Sequence, residues 1–380
     1  MTIRSIARKI RQALSANEPL ITIGISKANL LHNLHTYQEQ YPNLTFAPVL
    51  KSNAYGHGLV LVAEILDKEK ITFFMVDSLF EARTLRTHGI RSRILVMGYA
   101  RPEQILQNTL RDVDFAVTDI EQLRALSEKA FIPTRVHLKI DTGMHRQGIT
   151  IPELDEAISL LKANKNLVVV GMCSHFADAD NPNPSFSVKQ LGAWKTAKEK
   201  LDASFPSIQY RHIAATKGAR FATEASTNVS RLGMGLYGYD PAPEHTTNLK
   251  PVLEMRSLIA SIRTLEPGES VGYNAAYTAN KAEHVATIPV GYFEGIDRRL
   301  SNKGFLLVND VFCPIRGRVS MNMCAIDVSL VPDAKVGMPV TIFSRSPEAE
   351  NSFIRMAELA NESPYVILAH IPPHLKRVVE

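Results

Sequence analysis

Residues 135–173 read RVHLKIDTGMHRQGITIPELDEAISLLKANKNLVVVGMC, and this stretch carries the pattern that indicates the fold. It begins with a short β-rich run (Arg135–Ile140), continues through a helix-forming segment (Pro152–Ala163) and ends in an apolar run (Leu167–Cys173). Two strand-like runs joined by a helical segment are typical of a strand–helix–strand unit with parallel strands.

The same alternation extends from this unit in both directions along the chain. Helix-forming stretches such as Leu79–Thr87, Ile120–Lys129 and Val188–Ala203 separate the β-rich runs. Eight strands, each followed by a helix, predict a (β/α)8 TIM barrel, although a doubly wound open sheet would also alternate. The eight runs are Leu44–Leu50, Ile71–Val76, Arg93–Met97, Asp114–Val117, Arg135–Ile140, Leu167–Cys173, Gln209–Ala214 and Asn228–Leu232.

After about residue 250 the helical alternation stops, and short strands separated by turns follow. The change falls near Pro241–Pro251, a loop-like stretch that reads PAPEHTTNLKP. The sequence therefore predicts an α/β protein with a barrel over residues 1–250 and a smaller, mostly-β domain over residues 251–380. The strands predicted in the second domain are Ser257–Thr264, His284–Pro289, Phe305–Val308, Met323–Val328 and Pro339–Phe343.

Composition narrows the classes of partner and compartment. The net charge of +5 arises from 43 basic and 38 acidic residues spread along 380 positions, which argues against nucleic-acid binding. No apolar run approaches the roughly 20 residues of a membrane helix. The three cysteines (Cys173, Cys313, Cys324) form no C-x-x-C pair, so we expect no disulfide framework, no cysteine metal site and a cytoplasmic location.

The first 18 residues predict a short helical extension. Ile3, Ile6, Ile10 and Leu14 recur at helical spacing, with basic residues between them. A transit peptide has a similar pattern, but basic amphipathic helices also dock on domain surfaces, and we favour the second interpretation.

The polar residues at the ends of the predicted strands indicate where the chemistry lies. Active sites of (β/α)8 barrels lie at the carboxyl ends of the strands. Lys51 ends the first strand, where it can lose solvation and offer an amine for imine formation, although a lone lysine more often lies in a surface loop. Polar residues at the later strand ends are Lys139, Arg146, His175, Thr216 and Arg231.

A glycine cluster follows the eighth strand. Gly233, Gly235 and Gly238 fit the G-x-G-x-x-G fingerprint of dinucleotide-binding folds, but Tyr-Asp-Pro-Ala-Pro follows and cannot start the required helix. A glycine loop after the last barrel strands is also where this fold commonly holds a phosphate. The sequence thus predicts a phosphate-bearing cofactor beside a reactive lysine.

The segment VLKSNAYGHG, residues 49–58, resembles the signature of alanine racemases, which are two-domain pyridoxal 5'-phosphate enzymes with an N-terminal barrel. The likeness covers nearly the whole chain beyond the first 18 residues. It implies that Lys51 binds the cofactor as an imine and that Tyr55 hydrogen-bonds its phosphate.

Two further barrel motifs carry the resemblance. LKIDTGMHR is similar to a family segment with a modified lysine and a substrate-binding arginine, which implies a carbamylated Lys139 and substrate contact by Arg146. SHFADAD matches a segment whose histidine, here His175, lies behind the cofactor.

The strand-eight motif SRLGMGLYG resembles the stretch that holds the cofactor's pyridine and phosphate ends. It implies that Arg231 contacts the pyridine nitrogen and that the N–H groups of Gly233 and Met234 contact the phosphate. Thr216 would add its hydroxyl to the phosphate site.

Three motifs of the second domain extend the resemblance. VGYNAAY matches the segment of a second catalytic base, Tyr273; PVGY resembles that of a phosphate-contacting tyrosine, Tyr292; and GRVSMNM matches that of a substrate-contacting methionine, Met321. Racemisation needs a base on each face of the α-carbon, so Lys51 would serve the D-enantiomer and Tyr273 the L. A positive charge on His175 or Arg231 would lower the pKa of this tyrosine so that it can act as a base.

The family's head-to-tail homodimer implies that Tyr273 and Met321 complete the partner's site, with D-alanine for peptidoglycan as the product.

Three departures bear on substrate size and rate. HIAAT at residues 212–216 replaces the usual H-x-A-N-S, which leaves Ala215 before Thr216. Asn322 replaces an aspartate of the family. Pro373 stands where the family often has a tyrosine at the substrate entrance.

Three other functions stay open. The chain could be a non-catalytic pyridoxal-phosphate binding protein, but those are single barrels. It could be a decarboxylase of the same barrel class, but the acidic, cysteine-bearing partner surface is not evident. A racemase with broader specificity, for example toward serine, would fit the departures.

Overall fold

The computed structural model describes residues 18–239 and 248–380. The predicted N-terminal helical extension therefore lies outside the described residues except for its last position, as does most of the predicted Pro241–Pro251 boundary. The chain divides into two compact units, a barrel unit (Lys27–Pro251) and a β-rich unit (Met1–Ser26 with Val252–Glu380). The first strand, β1 (Thr22–Ile25), belongs to the β-rich unit, whereas the sequence analysis assigned residues 1–250 to the barrel.

Eight strands of the barrel unit follow β1 along the chain, one for each predicted run. Most of their residues are buried, as in the strands of a parallel barrel, which are covered on both faces. They are β2 (Thr45–Pro48), β3 (Phe74–Val76), β4 (Ile94–Val96), β5 (Val113–Val117), β6 (Thr134–Lys139), β7 (Leu167–Cys173), β8 (Tyr210–His212) and β9 (Val229–Leu232).

Hydrogen-bond pairing closes these strands into a ring. Strands β3 to β8 pair in parallel with their neighbours, and β2 pairs in parallel with β9. Parallel bridges between Val49 and Met75 and between Ala215 and Arg231 join the two groups at both seams. The predicted (β/α)8 barrel is confirmed, and the open-sheet alternative is wrong because an open sheet leaves two edges unpaired.

Helices follow the first six barrel strands. Before β2 lies α1 (Lys27–Gln40), and two 3-10 turns, Lys217–Phe221 and Met234–Tyr237, follow β8 and β9. The prediction of a helix after every strand is therefore wrong for the last two strands of the part that the structure describes. The helices after β2 to β7 are α2 (Lys51–Tyr55), α3 (Leu59–Leu66), α4 (Leu79–Thr87), α5 (Pro102–Leu106), α6 (Ile120–Lys129), α7 (Leu154–Ala163) and α8 (Ser185–Ser204).

The β-rich unit contains one nine-stranded sheet in the order β11-β14-β17-β16-β15-β18-β10-β1-β19 and a two-stranded ribbon, β12-β13. Two helices, α9 (Phe353–Ala360) and α10 (Pro364–Ala369), accompany it. The mostly-β character predicted for this region is confirmed. The strands are β10 (Leu253–Leu258), β11 (Ser261–Leu265), β12 (Ser270–Val271), β13 (Tyr277–Thr278), β14 (Glu283–Ile288), β15 (Phe305–Val308), β16 (Val311–Arg316), β17 (Cys324–Asp327), β18 (Pro339–Phe343) and β19 (Lys376–Val379).

Two details of this sheet differ from the prediction. The single strand predicted over Ser257–Thr264 is two strands, because the N–H groups of Ile259 and Ala260 turn to different acceptors, Met338 and Thr287. Strands β1, β16 and β19 were not predicted, and β16 contains Pro314, a residue that normally counts against a strand. Among the described residues, no helix combines the length and apolar character needed to cross a membrane.

Candidate active site

Lys51 begins a left-handed helical turn shortly after β2. Ser52, Asn53, Ala54 and Tyr55 have positive φ angles of 56°, 56°, 53° and 51°. A left-handed helical conformation costs L-residues roughly 1–2 kcal/mol each because Cβ approaches the following carbonyl oxygen. Such a run persists only where the surroundings fix it, and strained backbone of this kind clusters at functional sites.

Side chains around the turn supply that support. The Ser52 N–H donates to Glu81 Oε1 at 2.8 Å, and Asn53 Oδ1 accepts from the Leu59 N–H at 2.9 Å. The buried His57 ring places Nδ1 3.1 Å from the Ala54 carbonyl oxygen. The backbone after Lys51 is therefore held by contacts to the two helices that follow it.

The glycine cluster and Tyr55 form a small polar cradle. A Cβ added at Gly233 would lie 3.2 Å from the Tyr55 hydroxyl, so only glycine lets the backbone approach it without crowding. The N–H groups of Gly233 and Gly235 point to Thr216 Oγ1 at 3.2 and 3.4 Å. Burial raises the pKa of Tyr55 to about 12, against the opposing charge of Arg231, so its hydroxyl stays a donor. Backbone N–H groups and two hydroxyls suit a phosphate.

Arg231 lies in β9 with its guanidinium buried among carbonyl groups. Nη1 donates to the oxygens of Ser174 and His212 at 2.6 and 2.9 Å, and Nη2 to that of Ile213 at 2.9 Å. Burial lowers the pKa of Arg231 to about 10, which still leaves it charged at neutral pH. The site therefore has a fixed cation that donates hydrogen bonds and cannot accept them.

His175 is the acceptor for one of these donors. Arg231 Nη2 lies 2.7 Å from His175 Nδ1. Burial, and then the charge of Arg231, lowers the pKa of His175 to about 3. The ring is therefore neutral, with its proton on Nε2, because Nδ1 must accept. His175 thus supplies no positive charge to a tyrosine, and of the two cations expected for that purpose only Arg231 is charged.

Lys139 ends β6 beside other cationic groups. It is 8% exposed, and its Nζ donates to Gln147 Oε1 at 3.0 Å. Burial lowers the pKa of Lys139, and the charges of Arg231, Arg146 and Lys51 lower it further, against an opposing effect of Cys173. The barrel unit therefore gathers two lysines and two arginines within electrostatic reach of one another, a setting that favours an anion.

A buried polar chain that leads to Arg231 was not predicted from the sequence. His137 Nδ1 lies 2.8 Å from His212 Nε2, and His137 Nε2 lies 3.6 Å from Asp114 Oδ2. Burial lowers the pKa of both histidines, and His212 gives its carbonyl oxygen to Arg231. The available signal was an ionisable residue, Asp114, His137 or His212, inside each of three strand runs.

Tyr292 and Met321 lie on paired loops of the β-rich unit. The Tyr292 N–H donates to the Ser320 oxygen at 3.0 Å, and the Phe293 N–H to the Met321 oxygen at 2.9 Å. Tyr292 is 43% exposed and Met321 55% exposed. Two of the departures also lie in this unit: Asn322 donates to the buried Glu294 at 2.6 Å, and Arg377 donates to the carbonyl oxygen of Pro373.

Tyr273 lies between β12 and β13 of the same unit, on a turn with strained backbone. Gly272, Asn274 and Ala275 have φ angles of 80°, 63° and 47°. The tyrosine side chain is 68% exposed, which is high for an aromatic residue. The predicted site residues therefore fall into two groups, nine in the barrel unit and three in the β-rich unit. The barrel group is Lys51, Tyr55, Lys139, Arg146, His175, Thr216, Arg231, Gly233 and Met234; the second is Tyr273, Tyr292 and Met321.

Two protein-family models match the chain and cover nearly all of it. Residues 25–241 match the model described as "Alanine racemase, N-terminal domain", and residues 252–379 match "Alanine racemase, C-terminal domain". The alanine racemase of Carboxydothermus hydrogenoformans is 32% identical over 364 residues, which cover 93% of this chain and 98% of that protein.

Solved structures have the same fold over the same length. The alanine racemase of Clostridium difficile 630 gives a TM-score of 0.88 at 28% identity, with 96% of each chain covered. The alanine racemase of Bacillus anthracis with bound L-Ala-P gives 0.87 at 27% identity, with 96% of this chain and 95% of that chain covered.

Proposed function

The chain belongs to the alanine racemase family, and on that premise we propose that it interconverts L-alanine and D-alanine with pyridoxal 5'-phosphate. One observation carries the proposal. Lys51, the buried cation Arg231 and the Tyr55–Thr216–Gly233 cradle all lie at or beside the carboxyl ends of barrel strands, the side on which this fold has its active sites.

The residues present fit the cofactor. The cradle hydroxyls and the N–H groups of Gly233 and Met234 would hold its phosphate, and Arg231 would contact its pyridine nitrogen. His175 would lie behind the ring and Lys51 would bind it covalently, while Tyr292 would add a phosphate contact. When bound, the cofactor supplies an electron sink that acidifies the α-hydrogen of an attached amino acid.

Lys51 and Tyr273 are the proposed pair of bases. A single base tends to return a proton to the face from which it came, so inversion needs a second group on the opposite face. Lys51 Nζ would remove the α-proton of D-alanine while Tyr273 Oη donates one to the other face. The two residues exchange roles for L-alanine.

Arg231 would limit side reactions by weakening the electron sink. A guanidinium donates hydrogen bonds and cannot accept them, so its pyridine partner would stay an unprotonated acceptor and the electron sink would be weaker than with a carboxylate partner. Negative charge at the α-carbon would then be less stabilised and shorter-lived, so side reactions would have less time to occur. The carbonyl groups of Ser174, His212 and Ile213 hold the guanidinium in position for this task.

Arg146 and Lys139 would complete the substrate site. Arg146 would bind the substrate carboxylate, a pairing that a planar guanidinium favours. The neutral amine of Lys139 can attack carbon dioxide and lose a proton, which forms a carbamate anion. That anion would offset part of the positive charge of Arg146, Arg231 and Lys51.

A head-to-tail homodimer would complete each site with Tyr273 and Met321 from the partner chain. The support is the exposure of these side chains, 68% and 55%, on a unit separate from the one that carries Lys51.

The product would be D-alanine for peptidoglycan, made in the cytoplasm. The names of the relatives support the activity. The three cysteines are buried and free, which fits a reducing compartment.

A racemase with broader specificity is the second candidate. Pro373 stands near the position of a bulky tyrosine in the family, and an open cavity of about 360 Å³ adjoins Tyr292 in the β-rich unit. Its lining also includes Asp297, Arg298 and His370, polar groups that could accommodate a hydroxyl.

The test is a visible absorption spectrum of the purified protein, followed by the loss of optical rotation from L-alanine and L-serine. Lys51→Ala is the control. A visible band that vanishes in Lys51→Ala, together with faster turnover of alanine than of serine, would support the proposal. Faster serine turnover would support the second candidate. A band without racemisation would favour a cofactor-binding protein, and no band would contradict the assignment of Lys51.

A further inference from the structure

Glu81, in the first turn of α4, contacts more than its own helix. Its Oε2 accepts from the N–H groups of Asp77 and Ser78 at 2.8 and 3.2 Å, and its N–H donates to Ser78 Oγ at 3.2 Å. These bonds form a capping box, which satisfies N–H groups at a helix start. Oε1 is not needed for the cap and accepts instead from the Ser52 N–H at 2.8 Å.

The Ser52 N–H is the first donor of the left-handed turn. The turn's own bonds run from the Ala54 N–H to the Leu50 oxygen at 2.7 Å and from the Gly56 N–H to the Ser52 oxygen at 3.3 Å. Like the first N–H groups of any helix, that of Ser52 needs an acceptor from outside. A carboxylate is a stronger acceptor than a neutral oxygen.

This N–H belongs to the peptide plane that joins Lys51 to Ser52. Because the plane is rigid, fixing its N–H sets ψ of Lys51 and φ of Ser52 together. Ser52 has φ of 56°, a value that a serine adopts only under constraint. The bond to Glu81 therefore acts on the backbone of Lys51 at the start of the turn that follows β2.

We propose that Glu81 is a positioning residue that directs the Lys51 amine by anchoring the Lys51–Ser52 peptide. The proposal rests on the proposed role of Lys51. Without the carboxylate, the peptide loses its outside acceptor and can relax toward ordinary φ values. The amine then leaves the orientation that the left-handed turn imposes.

The test compares Glu81→Ala with two matched controls. Ser78→Ala removes the other half of the same capping box and leaves the bond to Ser52 in place. Glu153→Ala removes the glutamate of another capping box, whose Oε2 accepts from the Thr150 N–H at 2.8 Å. All three weaken a helix start, but only Glu81→Ala releases the Ser52 peptide.

Three readouts are measured. They are hydrogen exchange of the Ser52 amide in cofactor-free protein, the affinity and visible spectrum of the complex with pyridoxal phosphate, and kcat and KM separately. We expect Glu81→Ala to speed Ser52 exchange and weaken cofactor binding by roughly tenfold or more, the loss expected for a hydrogen bond to a charged group. We expect kcat to fall more than KM rises, while both controls lose thermal stability only.

Equal Ser52 exchange and equal cofactor affinity in Glu81→Ala and Ser78→Ala would overturn the proposal. If Glu81→Ala does not fold, Glu81→Gln replaces it, because its one carboxamide oxygen cannot serve both the cap and Ser52. A wild-type protein without a visible band would contradict the proposed function instead. The exchange measurement would still decide whether Glu81 fixes the turn.

Discussion

At the level of single residues, buried histidines determine how the barrel unit responds to acid. The pKa of His175 lies at about 3, below the ordinary 6.5, because burial and the charge of Arg231 oppose its protonation. Burial lowers the pKa of His137 and His212 as well. The unfolded chain thus binds protons more readily than the folded one in mildly acidic solution, and stability rises with pH there.

We expect the free energy of unfolding to decrease as pH falls through 6.5 toward about 3. His175→Asn should remove up to about 1.4 kcal/mol per pH unit of this slope, the value of one proton. Urea unfolding at a series of pH values measures it, with the exposed His88→Asn as control. An unchanged slope in His175→Asn would mean that this ring binds a proton as readily in the folded protein as in the unfolded chain.

Lys139 gives a second prediction at the same level. Because burial and neighbouring cations lower its pKa, more of its amine is neutral and able to react with carbon dioxide. We expect a carbamate signal in carbon-13 NMR with labelled bicarbonate, absent in Lys139→Ala. Lys198→Ala, which changes a lysine paired with Asp202, is the control. A signal that survives Lys139→Ala would assign the carbamate to another amine.

At the level of elements, the two glycines of the loop after β9 differ in how closely their surroundings pack. A Cβ at Gly235 would lie 2.6 Å from the Tyr37 hydroxyl and 2.8 Å from Thr216 Cγ2, whereas one at Gly233 would lie 3.2 Å from the Tyr55 hydroxyl. We expect Gly235→Ala to cost roughly 1–3 kcal/mol of folding stability by overpacking. Gly233→Ala should cost less stability, while both substitutions should weaken pyridoxal-phosphate binding because each disturbs a cradle hydroxyl.

Gly192 is the matched control for both substitutions. It lies within α8, and an added Cβ would meet nothing within 4 Å. Gly192→Ala should therefore stabilise the protein by up to about 1 kcal/mol through helix propensity. Thermal unfolding and cofactor titration of the three variants give the comparison. Equal losses of stability at positions 233 and 235 would contradict this difference in packing.

The elements also show what the sequence could and could not predict. All eight barrel strands were predicted from short runs rich in β-branched and other apolar residues, and strand ends brought Lys51, Lys139 and Arg231 to one rim. The left-handed turn was not predicted, since serine, alanine and tyrosine carry no preference for positive φ. Strand β1 was not predicted, and its residues were grouped with the barrel, because its partners β10 and β19 lie far along the chain.

At the level of the whole molecule, the proposed dimer predicts complementation between two inactive chains. In mixed dimers of Lys51→Ala and Tyr273→Phe chains, one site would lack both bases and the other would have both. Random mixing makes half of the dimers mixed, so about a quarter of wild-type activity should return. Unfolding and refolding the two variants together, with each refolded alone as control, is the measurement. No recovery would place both bases within one chain.

The position of β1 has a consequence for how the protein is made. β1 pairs with β10 on one side and β19 on the other, and the entire barrel unit lies between β1 and β10 in the chain. On the ribosome, the barrel can close while β1 still has no neighbour, since domains generally fold as units during synthesis. The nascent chain thus carries an unpaired strand through most of translation, and a chaperone that shields sheet edges would act in that interval.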